Sequence, residues 1–123
     1  MSITGSGLYG LSLEKALIDT LGESWEAEDN RVLMVTDTYT PDFNAHDFYA
    51  DITNEVTGTG YTAGGELLTT TEITLSGGVL TFDAADVAWT TSTIANAMAG
   101  VLKTTVSGSA TDQLILLSDF VTA

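Results

Sequence analysis

One run of residues narrows the fold before anything else is considered. Glu66 to Leu75 alternates, with Leu68, Thr70, Glu72 and Thr74 set against Leu67, Thr69, Thr71, Ile73 and Leu75, the period of two that belongs to a β-strand. Ser76-Gly77-Gly78 supplies a turn, and Val79 to Phe82 returns with Val79 and Thr81 on one side and Leu80 and Phe82 on the other. A β-hairpin is predicted here. With 123 residues, 44% of them hydrophobic, the chain has core material for one domain built around such strands.

Just ahead of the hairpin, Thr53 to Leu68 holds Gly58, Gly60, Gly64 and Gly65, with Val56, Tyr61 and Leu67 as apolar anchors between them. Glycines so spaced allow positive φ at several points, which predicts a structured loop entering a strand. Upstream, Leu13, Ala16, Leu17 and Leu21 recur at helical steps, with Ser12 a possible cap and Gly22 a stop, and they predict one short N-terminal helix lying on a sheet. Arg31 to Thr36 carries the apolar run Val32, Leu33, Met34 and Val35, a strand buried on both faces. Pro41 ends that region, and His46 to Ile52 has the spacing of one or two helical turns.

Farther on, Val87 to Thr93 reads as a strand carrying Trp89, and Leu114 to Leu117 with Phe120 and Val121 as a last buried strand. Ile94 to Lys103 suits either a helix or a strand with Gly100 at a bulge or close approach. Residues 1 to 7 are small and include Gly5 and Gly7, so they are expected to form a flexible arm, ordered only against a neighbour, with residues 8 to 123 as a single β-rich domain. The predicted class is mainly β, a β-sandwich or small barrel with one short N-terminal α-helix.

Charge excludes several partners. Seventeen acidic residues against Lys15, Arg31 and Lys103 give a formal charge of −14, a surface that repels phosphate, so neither nucleic acid nor an anionic membrane is an expected partner. The charge either keeps a crowded protein soluble, or offers a docking face to a basic partner or carboxylates to a divalent cation. Without cysteine there is no disulfide, thiolate metal site or cysteine nucleophile. The start Met-Ser-Ile-Thr-Gly-Ser-Gly has no basic region leading into an apolar run, so synthesis in the cytosol is expected.

Parts for catalysis are few. His46 is the only histidine and the only ordinary base near neutral pH; with Asp47 or Asp51 and a hydroxyl it would imitate a triad, but no nucleophile-elbow motif accompanies it. Asp47, Asp51 and Glu55 lie four apart and would stack along a continuous helix, a set that suits calcium, though the EF-hand pattern is absent and Gly58 ends any helix nearby. Glu23, Glu26, Glu28 and Asp29 form a denser cluster whose ordinary state is hydration. Gly58-Thr59-Gly60 lacks the lysine of a phosphate loop. No catalytic residue, metal site or cofactor is expected.

Asn54-Glu55-Val56-Thr57-Gly58-Thr59-Gly60-Tyr61-Thr62-Ala63-Gly64-Gly65 resembles a motif of small structural proteins of tailed bacteriophage particles. The likeness continues in Leu8-Tyr9-Gly10, Tyr39-Thr40-Pro41, His46-Asp47-Phe48, Phe82 to Trp89 and Ser118-Asp119-Phe120, in that order, over roughly residues 8 to 120. The resemblance implies a non-enzymatic virion component on the capsid surface. It would be a decoration or cement protein bound to the major capsid protein in symmetric copies such as trimers, with a tail or head-to-tail position as the rival and a calcium-dependent receptor- or sugar-binding module as another class. Members of the family run on past the Asp-Phe landmark, so the sheet is expected to be completed by a neighbour or to have one strand pair fewer. Partner-facing residues are expected in the arm and the glycine-rich loop: Ile3, Leu8, Tyr9, Gly58, Gly60 and Tyr61.

Overall fold

A computed structural model describes residues 3–17, 25, 29–105 and 111–120. The chain is mainly β, with antiparallel sheets and one short helix, an arrangement compatible with a sandwich. Its centre is a five-stranded sheet. In sequence order the members are β1 (Gly7–Leu8), β2 (Arg31–Thr36), β4 (Glu66–Leu67), β8 (Ala97–Lys103) and β9 (Leu114–Asp119), and across the sheet they run β1-β9-β8-β2-β4. β3 (Gly58–Thr59) pairs with β7 (Thr93–Ile94), and β5 (Glu72–Ser76) pairs with β6 (Val79–Asp83) as the hairpin. Helix α1 (Gly10–Leu17) follows β1 directly.

The run Val32 to Val35 forms β2, and alternation explains why all of it is apolar. Leu33 and Val35 point to one face of the sheet with Ala99, Val101 and Leu117, where Ile3, Tyr9, Tyr39 and Leu114 complete the main core. Val32 points to the other face, against a smaller cluster of Leu68, Leu102 and Ile115 that is roofed in part by Phe82, Ala84 and Val87. Both faces of one strand are thus occupied, as the sequence requires. Ile94 to Lys103, ambiguous by sequence, is extended: Ile94 ends β7 and Ala97–Lys103 forms β8, with Gly100 at a close approach, where a Cβ would lie 3.1 Å from the Phe120 ring.

Four expectations change. The alternating run Glu66–Leu75 is not one strand but two in different sheets, because the chain turns at Thr70 (φ 54°) after burying Leu68 rather than Leu67. Val87–Thr93 forms no strand before Thr93; the Ser92 hydroxyl donates to the Trp89 carbonyl, a local turn that competes with a ladder. Helical geometry between His46 and Ile52 is limited to a 3-10 turn at Tyr49–Asp51. The N-terminal arm is, from Ile3 on, part of the fold: Ile3 is fully buried and Gly7 pairs with Leu117. Ile3 adds an apolar side chain to a core that the short edge strand β1 leaves open, and that burial outweighs the freedom of the neighbouring glycines. The helix end at residues 18–22, the acidic cluster apart from Asp29, residues 106–110 of the polar loop and Val121 lie outside the described residues.

Candidate functional site

The glycine-rich stretch is anchored at both ends to the free edge of β2. Near its start, the Thr36 N–H donates to the Asn54 carbonyl and the Val56 N–H to the Met34 carbonyl; at its end, Glu66 and Leu67 pair with Val32 and Arg31, and the Leu68 N–H donates to Asn30. Between those anchors the chain makes an excursion, and side chains replace the missing ladder. The Tyr61 hydroxyl accepts the Met34 N–H at 3.0 Å and donates to Glu55 Oε1 at 2.6 Å. Tyr49 donates to Glu55 Oε2 at 2.6 Å, and the Gly64 N–H donates to Oε1 at 2.7 Å. Glu55 therefore holds three donors and closes the excursion.

Glycine is needed there because backbone meets backbone. A Cβ on Gly65 would collide with the Val32 carbonyl, and one on Gly58 with the Thr93 carbonyl. Gly60 likewise lies against Ser92, whose Cα would be 2.8 Å from an added Cβ. These close approaches are all within the chain.

Every cation of the protein is tied to the fold. Lys103, buried in β8, pairs with the buried Asp112 at 2.6 Å, donates to the Thr104 carbonyl and lies 5.0 Å from the centre of the Tyr49 ring. Lys15 on α1 pairs with Asp47 and lies over Phe48. Arg31 Nη1 donates to the Gly65 carbonyl at 3.0 Å. Glu14, Asp29, Asp42, Glu72, Asp83 and Asp86 are exposed, so the described surface is predominantly acidic.

His46 ends a hydrogen-bonded chain. The Asp42 N–H, which can only donate, reaches His46 Nδ1 at 3.3 Å, so Nδ1 is an acceptor; Tyr39 donates to it at 2.9 Å, and Tyr9 donates to Tyr39 at 3.1 Å. Burial pushes the Tyr39 phenol up to about 12 and Tyr9 still higher, and burial followed by the Glu55 carboxylate raises Tyr49 and Tyr61. All four phenols of the chain are held protonated. Asp47, Asp51 and Glu55 do not converge. Asp47 pairs with Lys15, while Asp51 accepts the N–H groups of Asp47 and Phe48. For Asp51, burial alone would raise the carboxyl, but those two N–H groups outweigh it and hold it below the usual range. Among the described residues no cluster of histidines and carboxylates has the geometry of a metal site.

The hairpin is built differently. Its paired positions Ile73–Phe82 and Leu75–Leu80 share one face, and Glu72–Asp83, Thr74–Thr81 and Ser76–Val79 share the other. Ile73 and Phe82 are half-buried at the base, whereas Leu75 is 72% and Leu80 71% exposed at the tip. Beside the apolar face opens a groove of about 330 Å³, walled on the hairpin side by Ile73, Leu80 and Phe82 and on the other by Leu8, Leu13 and Leu116 among others.

Of the residues expected to face a partner, Ile3 and Tyr9 are fully buried in the main core, Tyr61 is half-buried at Glu55, and Leu8, Gly58 and Gly60 are exposed. They do not form one patch: Leu8 lies on β1 beside the groove, while Gly58 and Gly60 lie at the β3–β7 ribbon. Sequence reasoning missed Leu75 and Leu80. Their signal was available, as a leucine on each side of a Gly-Gly turn with no charge from Ile73 to Phe82. Compared with known protein families, curated proteins and solved structures, the chain matches none.

Proposed function

We propose that the chain is a non-enzymatic structural protein of a tailed-phage virion. It decorates the outer capsid surface by binding the major capsid protein in symmetric copies and stabilises the head. The observation that carries this is the distribution of charge: all three cations are engaged within the chain, and among the described residues the outward face is acidic, with its most exposed apolar side chains at the hairpin tip. Such a surface is repelled by packaged nucleic acid, which favours the outside of a shell, and its polar clusters hold their donors and acceptors in structural roles. The motif from Asn54 to Gly65 supplies the family, by resemblance.

The copy number per particle tests this. Quantitative mass spectrometry of purified virions is expected to give about as many copies of this chain as of the major capsid protein. A count in single digits or low tens would move it to the neck or tail, and absence from the particle would overturn the proposal.

A further inference from the structure

The exposed end of the hairpin calls for a partner, and the charge of the molecule indicates which. Two copies of a chain with a formal charge of −14 repel one another wherever acidic surfaces approach within a Debye length, about 8 Å at physiological ionic strength. The stretch Ile73 to Phe82 has no charged side chain, and the groove beside it is lined by apolar side chains. A basic partner would gain more by seating on the acidic faces. A like-charged copy is compatible with this uncharged strip.

The strip is also self-complementary. Leu75 projects at the tip, and beside it, along the same apolar face, opens the groove walled by Ile73, Leu80, Phe82, Leu8 and Leu13. Val79, also exposed, points to the opposite, polar face and serves as an internal reference. A projection and a recess on the same surface are what an isologous contact requires. We infer that the apolar face of the hairpin is the contact with a second copy of this chain, Leu75 at the tip of each copy closing the groove that Leu80 helps to wall in the other. This gives a surface to the symmetric copies of the proposed function and rests on that reading for its biological setting.

Sedimentation equilibrium of the purified chain, with no particle present, tests it. The expected result is twice the 12.9 kDa chain mass. Association should tighten by about tenfold or more as NaCl rises from about 0.05 M to about 0.5 M, because salt screens like charge and leaves apolar contact intact. The double variant Leu75→Thr with Leu80→Thr, which keeps strand-forming side chains, is expected to sediment as a monomer where the wild type is dimeric, and Val79→Thr is expected to behave as wild type. A larger closed assembly abolished by the same double variant would support the surface with a different symmetry. A wild type that stays monomeric at high salt, a double variant that associates normally, or a Val79→Thr variant equally impaired would each overturn it. Failure here leaves capsid binding standing, and a chain that dimerises but is absent from virions would fail only the virion reading.

Discussion

The glycine-rich loop and the hairpin lie next to each other in sequence and make opposite use of their residues. The loop is composed unusually and is turned inward: its glycines press on the backbones of β2 and β7, and its glutamate gathers two phenols and an amide. The hairpin is an ordinary alternating ribbon, yet it leaves two leucines in water. Unusual composition marks where the chain must solve a steric problem of its own. Exposed apolar surface marks where the solution is left to another molecule.

The sharpest way to break the comparison is Gly65→Ala. With φ at 84° and the Val32 carbonyl in the place of the new methyl, this variant is expected to lose about 4 kcal/mol or more in urea unfolding. Gly64→Ala, also at positive φ but facing open space, is expected to lose only about 1 kcal/mol. Equal losses would mean that conformation alone, and not the approach to β2, requires glycine in the loop.

Alkaline titration comes next. The folded phenols ionise above the unfolded value near 10, so their stabilisation is complete below that pH and is lost as pH rises toward the folded values, about 12 for Tyr39. Tyr9 and Tyr39, both fully buried, should each remove about 1.4 kcal/mol per pH unit beyond 10, with a smaller share from the half-buried Tyr49 and Tyr61. Absorbance at the tyrosinate band is expected to appear in one cooperative step together with loss of structure. Tyrosinate formed in stages on a folded chain would contradict the closed hydroxyl networks.

Glu55→Gln is expected to cost about 2 kcal/mol, since an amide presents one acceptor oxygen where two phenols need two. Smallest is the effect on stability of Leu75→Thr with Leu80→Thr, within about 0.5 kcal/mol in thermal or urea unfolding of the monomer. A large loss there would mean that the tip already packs on its own chain and would erase the contrast with the loop.

Much of the fold was legible. β2 falls at Arg31–Thr36 as its apolar run predicts, and the hairpin pairs as its alternation predicts, because both signals are local. The break at Thr70 was not legible, since the period of two passes through it unchanged and only the burial of Leu68 on a distant sheet stops the strand. At the candidate site, glycine spacing announced a structured loop but not its direction. Tyr49, Glu55 and Tyr61 are spaced six apart, a regularity without meaning until the loop folds back and brings both phenols to one carboxylate. Ile3 and Tyr9 were placed at the surface because their neighbours are small and polar, and what buries them, β8 and β9, comes about a hundred residues later.

The confinement of the cations has one more outcome. Trypsin cuts only after lysine or arginine, in backbone that can be drawn out into its cleft, and this chain offers Lys15 within a helix, Arg31 in an interior strand of the sheet, and Lys103 buried in the strand beside it. Cleavage after Arg31 or Lys103 therefore waits for the sheet itself to open, and its rate follows the population of opened molecules. A protein that keeps its few positive charges for its own architecture has, by the same act, withdrawn two of the three marks by which that protease would recognise it.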